Sequence, residues 1–226
     1  MGRTNGATRP APAPPGERLY RGRSSSERRA ERRARLVAVG LELFGTRGFA
    51  KTTIPMICST AGVTARHFYE EFPSREALLR TVYEDIADTA NERAIDALRR
   101  LDLTVRERIR ASNAGFFGYL TSDPRIARVY ALETSGISHA MELLRLAKRE
   151  ALAEKLTKAM RYLERRGMVS GLDSRLIAAA IGSAARDLVT EWVLAAKPPS
   201  IDKMVETVAT IWIRVLELDR FEVELS

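Results

Sequence analysis

The segment TIPMICSTAGVTARHFYEEFPSR, residues 53–75, constrains the chain most, because its spacing reads as two short helices around a tight turn. Thr53 stands as an N-cap, and Pro55 falls in the first helical turn, where a missing N–H is no loss. Ile54, Ile57, Cys58 and Ala61 follow at i, i+3, i+4 and i+7, the buried stripe of a helix. Gly62 comes next, where a left-handed residue stops a helix. Val63 plugs the turn, Thr64 is a second N-cap, and Phe68, Tyr69 and Phe72 make a second apolar face before Pro73. Two short helices joined by a glycine-containing turn form a helix-turn-helix, whose second helix is shaped to enter a DNA major groove.

Charge points the same way. Residues 1–75 hold 14 Lys+Arg and 6 Asp+Glu, and residues 76–226 hold 23 of each, so the chain's whole formal +8 lies on and before the motif. A basic first third on a neutral body is an electrostatic footprint for phosphate. Residues 1–26, rich in Pro, Gly, Ser and Arg, are expected to form a disordered basic arm. Its arginines Arg3, Arg9, Arg18, Arg21 and Arg23 could track phosphates or be a plain solvated leader.

The lone Cys58 excludes an internal disulfide, fits a reducing compartment, and lies on an apolar stripe as a small hydrophobe. No signal-type apolar leader appears, and the longest uncharged apolar run, Leu176 to Ala185, is about half of what spans a bilayer. A cytoplasmic protein without a membrane partner is therefore expected. No P-loop, dinucleotide turn or nucleophile elbow occurs. His139 and Glu142 make an H-x-x-E that no further ligand completes. The expectation is a chain that is not an enzyme and has no catalytic residues, metal or cofactor.

The rest reads as helix, with no strand alternation of any length, so the fold class is all-α. A helix from about Glu27 to Thr46 begins as the basic rod ERRAERRAR and buries Leu36, Val39, Leu43 and Phe44, with Gly40 marking a close helix crossing. Ser74 caps a helix carrying Leu78, Leu79, Val82 and Ile86. Further helices are expected over Thr104–Thr121, from Asp123-Pro124 through Tyr130, from about Ile137 to Arg166 (with Leu163 inward and Gly167 as its stop), from Asp173 to Ala196, and from Ser200 to about Asp219. The architecture is about nine helices: a helix-turn-helix domain over 27–73 and a ligand-binding and dimerisation body over 74–226. The last helix carries a wide apolar stripe, and the one before it is apolar or small on nearly every side. They could bury themselves internally or pair with a second copy, and pairing is favoured because a helix-turn-helix usually reads DNA as a symmetric dimer. The interface residues would be Ile181, Ala184, Leu188, Val208, Ile211, Trp212 and Val215. A mostly apolar pocket is placed among Asn113, Phe116, Phe117, Tyr119, Tyr130, Met141 and Trp192, with Glu133 and Thr134 as polar contributors.

From Arg35 to Ile86 the sequence resembles the TetR family of bacterial transcriptional regulators. The resemblance rests on Leu36-Val37, Leu43-Phe44, Gly48, Thr52-Thr53, Ile57, Ala61-Gly62-Val63-Thr64, Phe68-Tyr69, Phe72, Ser74, Glu76 and Leu78-Leu79. It implies a three-helix DNA head, a fourth helix linking it to a helical body, and a homodimer on a palindromic double-stranded operator. It implies a repressor released by a small hydrophobic effector. A regulator of the same shape controlled by a protein partner or by concentration is the alternative, and a helical enzyme a more distant one. Carried over by position, Thr64 caps the recognition helix and touches phosphate, and Ala65, Arg66 and His67 face the bases. Tyr69 donates to a phosphate, and Thr53 and Arg75 grip the backbone. Glu70 and Glu71 would point away or pair with Arg66 or Arg75.

Overall fold

The computed structural model describes residues 25–165 and 173–216. Among them the chain is all helical: α1 (Ser25–Arg47), α2 (Ile54–Ala61), α3 (Ala65–Glu71), α4 (Arg75–Leu98), α5 (Val105–Leu120), α6 (Pro124–Arg128), α7 (His139–Glu164), α8 (Ser174–Leu194) and α9 (Ile201–Val215). One π-helical turn, Val129–Glu133, follows α6, where the sequence pattern suggests a continuous α-helix. Helix starts fall where capping chemistry puts them. Thr53 accepts from the Met56 N–H, Thr64 from His67, Ser74 from Ala77 and Ser200 from Lys203. Thr104 and Glu107 close a reciprocal capping box. Each such cap is worth about 1 kcal/mol. Gly62 closes α2 at φ 64°. Ser25 and Ser26 are helical, which corrects the arm's expected end at residue 26. Residues 1–24, the expected stop at Gly167, the inward placement of Leu163 and the reach to Asp219 lie outside the described residues.

The head forms because α1, α2, α3 and the start of α4 share one apolar centre. Leu36, Phe44, Ile57, Phe68, Phe72, Leu78 and Leu79 are all buried in it. Gly40 lies where α1 crosses α4, and a Cβ there would stand 3.1 Å from Val82 and 3.2 Å from Leu78. Gly45 lies under α6, and its Cβ would stand 2.5 Å from Arg125 Cβ. The body is built on α4, which packs along α5; α9 covers α5, and α8 packs on α7.

The faces of the last two helices differ from the expectation. Ile181, Val208 and Trp212 are buried within their own chain, at 6%, 1% and 8% exposure. The stripe proposed as an interface is therefore partly this chain's own core. Ala184 and Ile211 are exposed, and Leu188 and Val215 are half-buried. Leu176, Leu194 and Ile201 add to the outward apolar surface.

The glycine contacts predict opposite outcomes for one substitution. Gly45→Ala forces its methyl into α6 and is expected to cost about 1–3 kcal/mol in urea denaturation. Gly118→Ala has nothing within 4 Å of the new methyl, and α5 should gain up to about 1 kcal/mol of helix propensity.

Candidate nucleic-acid interface and effector cavity

The exposed edge of α3 follows from its short, capped geometry. Phe68 is fully buried and fixes the helix on the head core, so the residues around it turn outward. Ala65 and Arg66 are exposed, His67 is half-buried, and Tyr69 is 56% exposed, which removes Tyr69 from the core. The Tyr69 ring stands edge-on to Phe68 at 5.5 Å between centroids, so its hydroxyl end is presented from a fixed base. Thr53 and Thr64 are exposed at the helix starts. Arg66 pairs with Glu70 at 3.1 Å while its side chain stays 87% exposed. An ion pair this open contributes at most about 1 kcal/mol.

The basic rod of α1 has a use that its composition does not reveal. Arg29 donates Nε to both carboxylate oxygens of Glu71, at 3.2 and 3.3 Å, and an N–H to the Glu70 carbonyl at 3.3 Å. Arg33 donates to the Glu71 carbonyl at 3.2 Å and lays its guanidinium over the Phe72 ring at 4.4 Å. Arg32 stands 3.6 Å from the same Glu71 carboxylate, which is almost wholly buried. Cations at a helix C-terminus satisfy its unpaired carbonyls and its negative dipole end. Glu71 thus turns to α1, rather than to Arg66 or Arg75.

Arg75 donates to the Thr52 carbonyl and stacks over Phe49 at 4.1 Å. Part of its guanidinium is thus engaged at the corner before α2. Thr52 beside it is buried and donates its hydroxyl to Gly48 O at 2.8 Å.

Head and body meet through polar contacts. Glu133 accepts from the Phe49 N–H at 2.7 Å and from Arg128 Nε at 2.8 Å. It is a head–body latch, not a pocket group. Thr134 is fully buried. Arg125 joins Glu42 of α1 to Asp123, and the Ser138 hydroxyl donates to Glu76 at 2.5 Å.

A cavity of about 600 Å³ opens between the end of α4, the start of α5, the end of α7 and α9. Ile95, Leu98, Ile109, Leu156, Met160 and Trp212 give it an apolar wall, and Arg99, Arg108, Lys155 and Lys158 add cations. Of the anticipated pocket residues Asn113 alone is in this wall, and its amide donates to Ile109 O at 2.8 Å. Phe117 and Met141 are fully buried packing. Phe116 meets Tyr130 edge-to-face at 6.2 Å, and Tyr130 stacks on Tyr83 at 5.9 Å, so these rings fill the space they were expected to line. Tyr119 lies under the Arg93 guanidinium at 4.8 Å, and Trp192 is half-buried against the body core. The apolar part of this cavity's wall is mostly aliphatic, which pattern alone does not separate from core. His139 is exposed, and Glu142 is bound to the Gly136 N–H at 2.9 Å and to Arg145 at 2.8 Å. Among the described residues no group of three or more His, Cys, Asp or Glu is placed to hold a metal. No described helix is long and apolar enough to cross a membrane.

A profile of the family described as bacterial regulatory proteins, tetR family, matches residues 36–82, which are α1, the helix-turn-helix and the start of α4. Over these residues the chain resembles the DNA-binding head of the TetR family. The HTH-type transcriptional regulator YerO of Bacillus subtilis (strain 168) is 41% identical over 54 residues, 24% of this chain and 19% of that one. The HTH-type transcriptional regulator EthR of Mycolicibacterium smegmatis is 29% identical over 112 residues, covering 49% of this chain and 52% of its own length. The chain therefore spans about half or less of these two relatives. In fold the likeness extends through the body. The crystal structure of FadR from Bacillus subtilis in complex with stearoyl-CoA superposes with a TM-score of 0.71 at 18% identity, over 80% of this chain and 98% of that one.

The observed contacts separate Arg66 from Arg75 in this head. Arg75→Ala removes a buried-side hydrogen bond and a cation–ring contact, and should lower thermal stability by about 1–2 kcal/mol. Arg66→Ala should leave the melting curve within about 0.5 kcal/mol of the parent, since its one ion pair is exposed. Calorimetric melting of both variants checks this.

Proposed function

We propose that the chain is a sequence-specific DNA-binding transcriptional regulator, a dimeric repressor released from a palindromic operator by a small hydrophobic molecule. The observation that carries the reading is the outward edge of α3. Arg66, His67 and Tyr69 stand on a rigid, capped helix, while the charges behind them are tied into the head. In this reading Arg66 reads a base edge, Tyr69 and the N-caps Thr53 and Thr64 hold phosphates, and Arg75 supports the corner from within. Two heads must sit about 34–36 Å apart to meet successive major grooves. The outward residues Ala184, Leu188, Ile211 and Val215 are the proposed contact between copies. The units would be the helix-turn-helix head over 27–73 and the body over 74–226.

The apolar-walled cavity supports the effector half of the proposal over the alternative of a regulator without a ligand. Its volume lies within the range of small-molecule sites. The fold relative FadR from Bacillus subtilis was crystallised with stearoyl-CoA, a molecule with a long apolar chain, and that supports the reading. In this chain the cavity wall includes Ile95 and Leu98 of α4, the helix whose first turns complete the head. A ligand that moves this end of α4 changes the spacing of the two heads. By reciprocity its affinity must fall when the protein is on DNA.

Selection of bound sequences from random duplexes, followed by screening for compounds that release the selected site, tests the proposal. Arg66→Ala is expected to lose about 1–3 kcal/mol on the selected site and little on random DNA. Equal losses on both would remove Arg66 as a base reader. Ala159→Phe, which projects a ring into the cavity, should abolish compound-induced release while leaving operator affinity within about twofold. Release that persists in this variant would place the effector elsewhere.

A further inference from the structure

Elsewhere in the body lies a recess of different chemistry. Tyr83 of α4, Ser135 and Glu142 near the start of α7, Arg145 and Arg149 of α7 and Arg186 of α8 enclose about 260 Å³. Its wall holds three guanidiniums against one carboxylate. Glu142 answers Arg145 at 2.8 Å, and Arg145 also donates to Ser135 Oγ at 3.0 Å. Arg186 gives one N–H to Asp187 at 3.0 Å, and that carboxylate is itself 69% exposed. The Arg186 Nε is buried and has no hydrogen-bond partner among the described residues. Arg149 meets no carboxylate within ion-pair distance among the described residues. Lys148, beside the same crevice, is held by Asp88 at 2.7 Å.

A cluster of guanidiniums is self-repelling unless an anion sits among them. Phosphate oxygens match guanidinium forks in geometry and charge. Tyr83 completes the donor set. Burial holds its hydroxyl above the usual range, against the opposing fields of Arg145, Arg186 and Arg149 and a hydrogen bond with Arg145. The recess exceeds the size of one phosphate ion, which leaves room for a small organic substituent.

We propose that this recess binds a phosphate group, as the free ion or on a small phosphomonoester, at a site separate from the apolar cavity. Such an ion ties α7 and α8 to Tyr83 of α4, the helix that enters the head. The binding does not rest on the regulator reading; only an effect on DNA affinity would.

Isothermal titration calorimetry of the full chain without DNA tests it, with inorganic phosphate and glycerol 3-phosphate at constant ionic strength and chloride as the control. Saturable binding at one per chain is expected, and Arg149→Ala and Arg186→Met should each weaken it by about tenfold or more. Arg99→Ala, in the apolar cavity, should leave it unchanged. Equal affinity for both probes identifies the free ion as sufficient, and preference for glycerol 3-phosphate identifies a monoester. Arg149 is exposed, so its variant folds even where Arg186→Met does not. Heats equal to chloride for both probes, or undiminished binding in Arg149→Ala, overturn the site.

Discussion

The crossing of α1 over α4 at Gly40 is the contact on which the rest of the molecule depends. Without a side chain at that point the two helices approach until Leu36 and Phe44 share a core with Leu78 and Val82. The head is thereby built on α4 and cannot shift independently of its first turns. The same helix continues without glycine or proline for 24 residues, about 36 Å at the usual rise. Its far end forms part of the wall of the apolar cavity. A single rigid rod therefore belongs to the DNA-facing core at one end and to the cavity at the other.

The second joint between head and body is of a different kind. It consists of Glu133 on the Phe49 N–H, Arg125 between Glu42 and Asp123, and Ser138 on Glu76. Several of these side chains are part-exposed, and ion pairs of that sort contribute about 0–1 kcal/mol each. They can break and re-form, whereas the apolar crossing at Gly40 cannot. The π-helical turn that carries Glu133 adds to this, since π-bulges are frequent at functional sites. The head is thus joined to the body by an apolar crossing along α4 and by weaker polar contacts on the α6 side.

Sequence periodicity and capping chemistry were enough for the helices. The expected caps Thr53, Thr64, Ser74, Asp123, Asp173 and Ser200 are all N-caps in the structure, because a cap depends only on residues within one turn. The outward edge of α3 was legible for the same reason: Phe68 and Phe72 fix which side is buried. Partners distant in sequence were not legible. Nothing local shows that Arg29 and Arg33, some 40 residues before α3, close its C-terminus, or that Arg75 turns back onto Phe49. The cavity was misplaced because aromatic residues suggest a pocket by composition, yet Phe116, Tyr130 and Tyr83 satisfy one another by ring packing. Only the three-dimensional gap between α4, α5, α7 and α9 identifies Ile95, Leu98 and Met160 as wall. Val208 and Trp212 face their own chain for a similar reason: a wide apolar stripe does not say which neighbour it covers.

The energetic scale of these contacts bears on how a ligand could act. Coupling between effector and DNA is typically about 1–3 kcal/mol. The polar latches at the head–body joint sum to that order, while the head core buries several large side chains worth about 1.5–3 kcal/mol each. An effector of ordinary differential affinity can therefore bias the latches but cannot unfold the head. On the proposed mechanism, release must come from re-aiming two intact recognition helices. Melting of α3 would require loosening Phe68 and Phe72 together with the arginine clamp from α1, which exceeds what such a ligand supplies. The clamp thus separates two routes to the same loss of DNA binding, and favours the one in which the helix-turn-helix stays folded throughout.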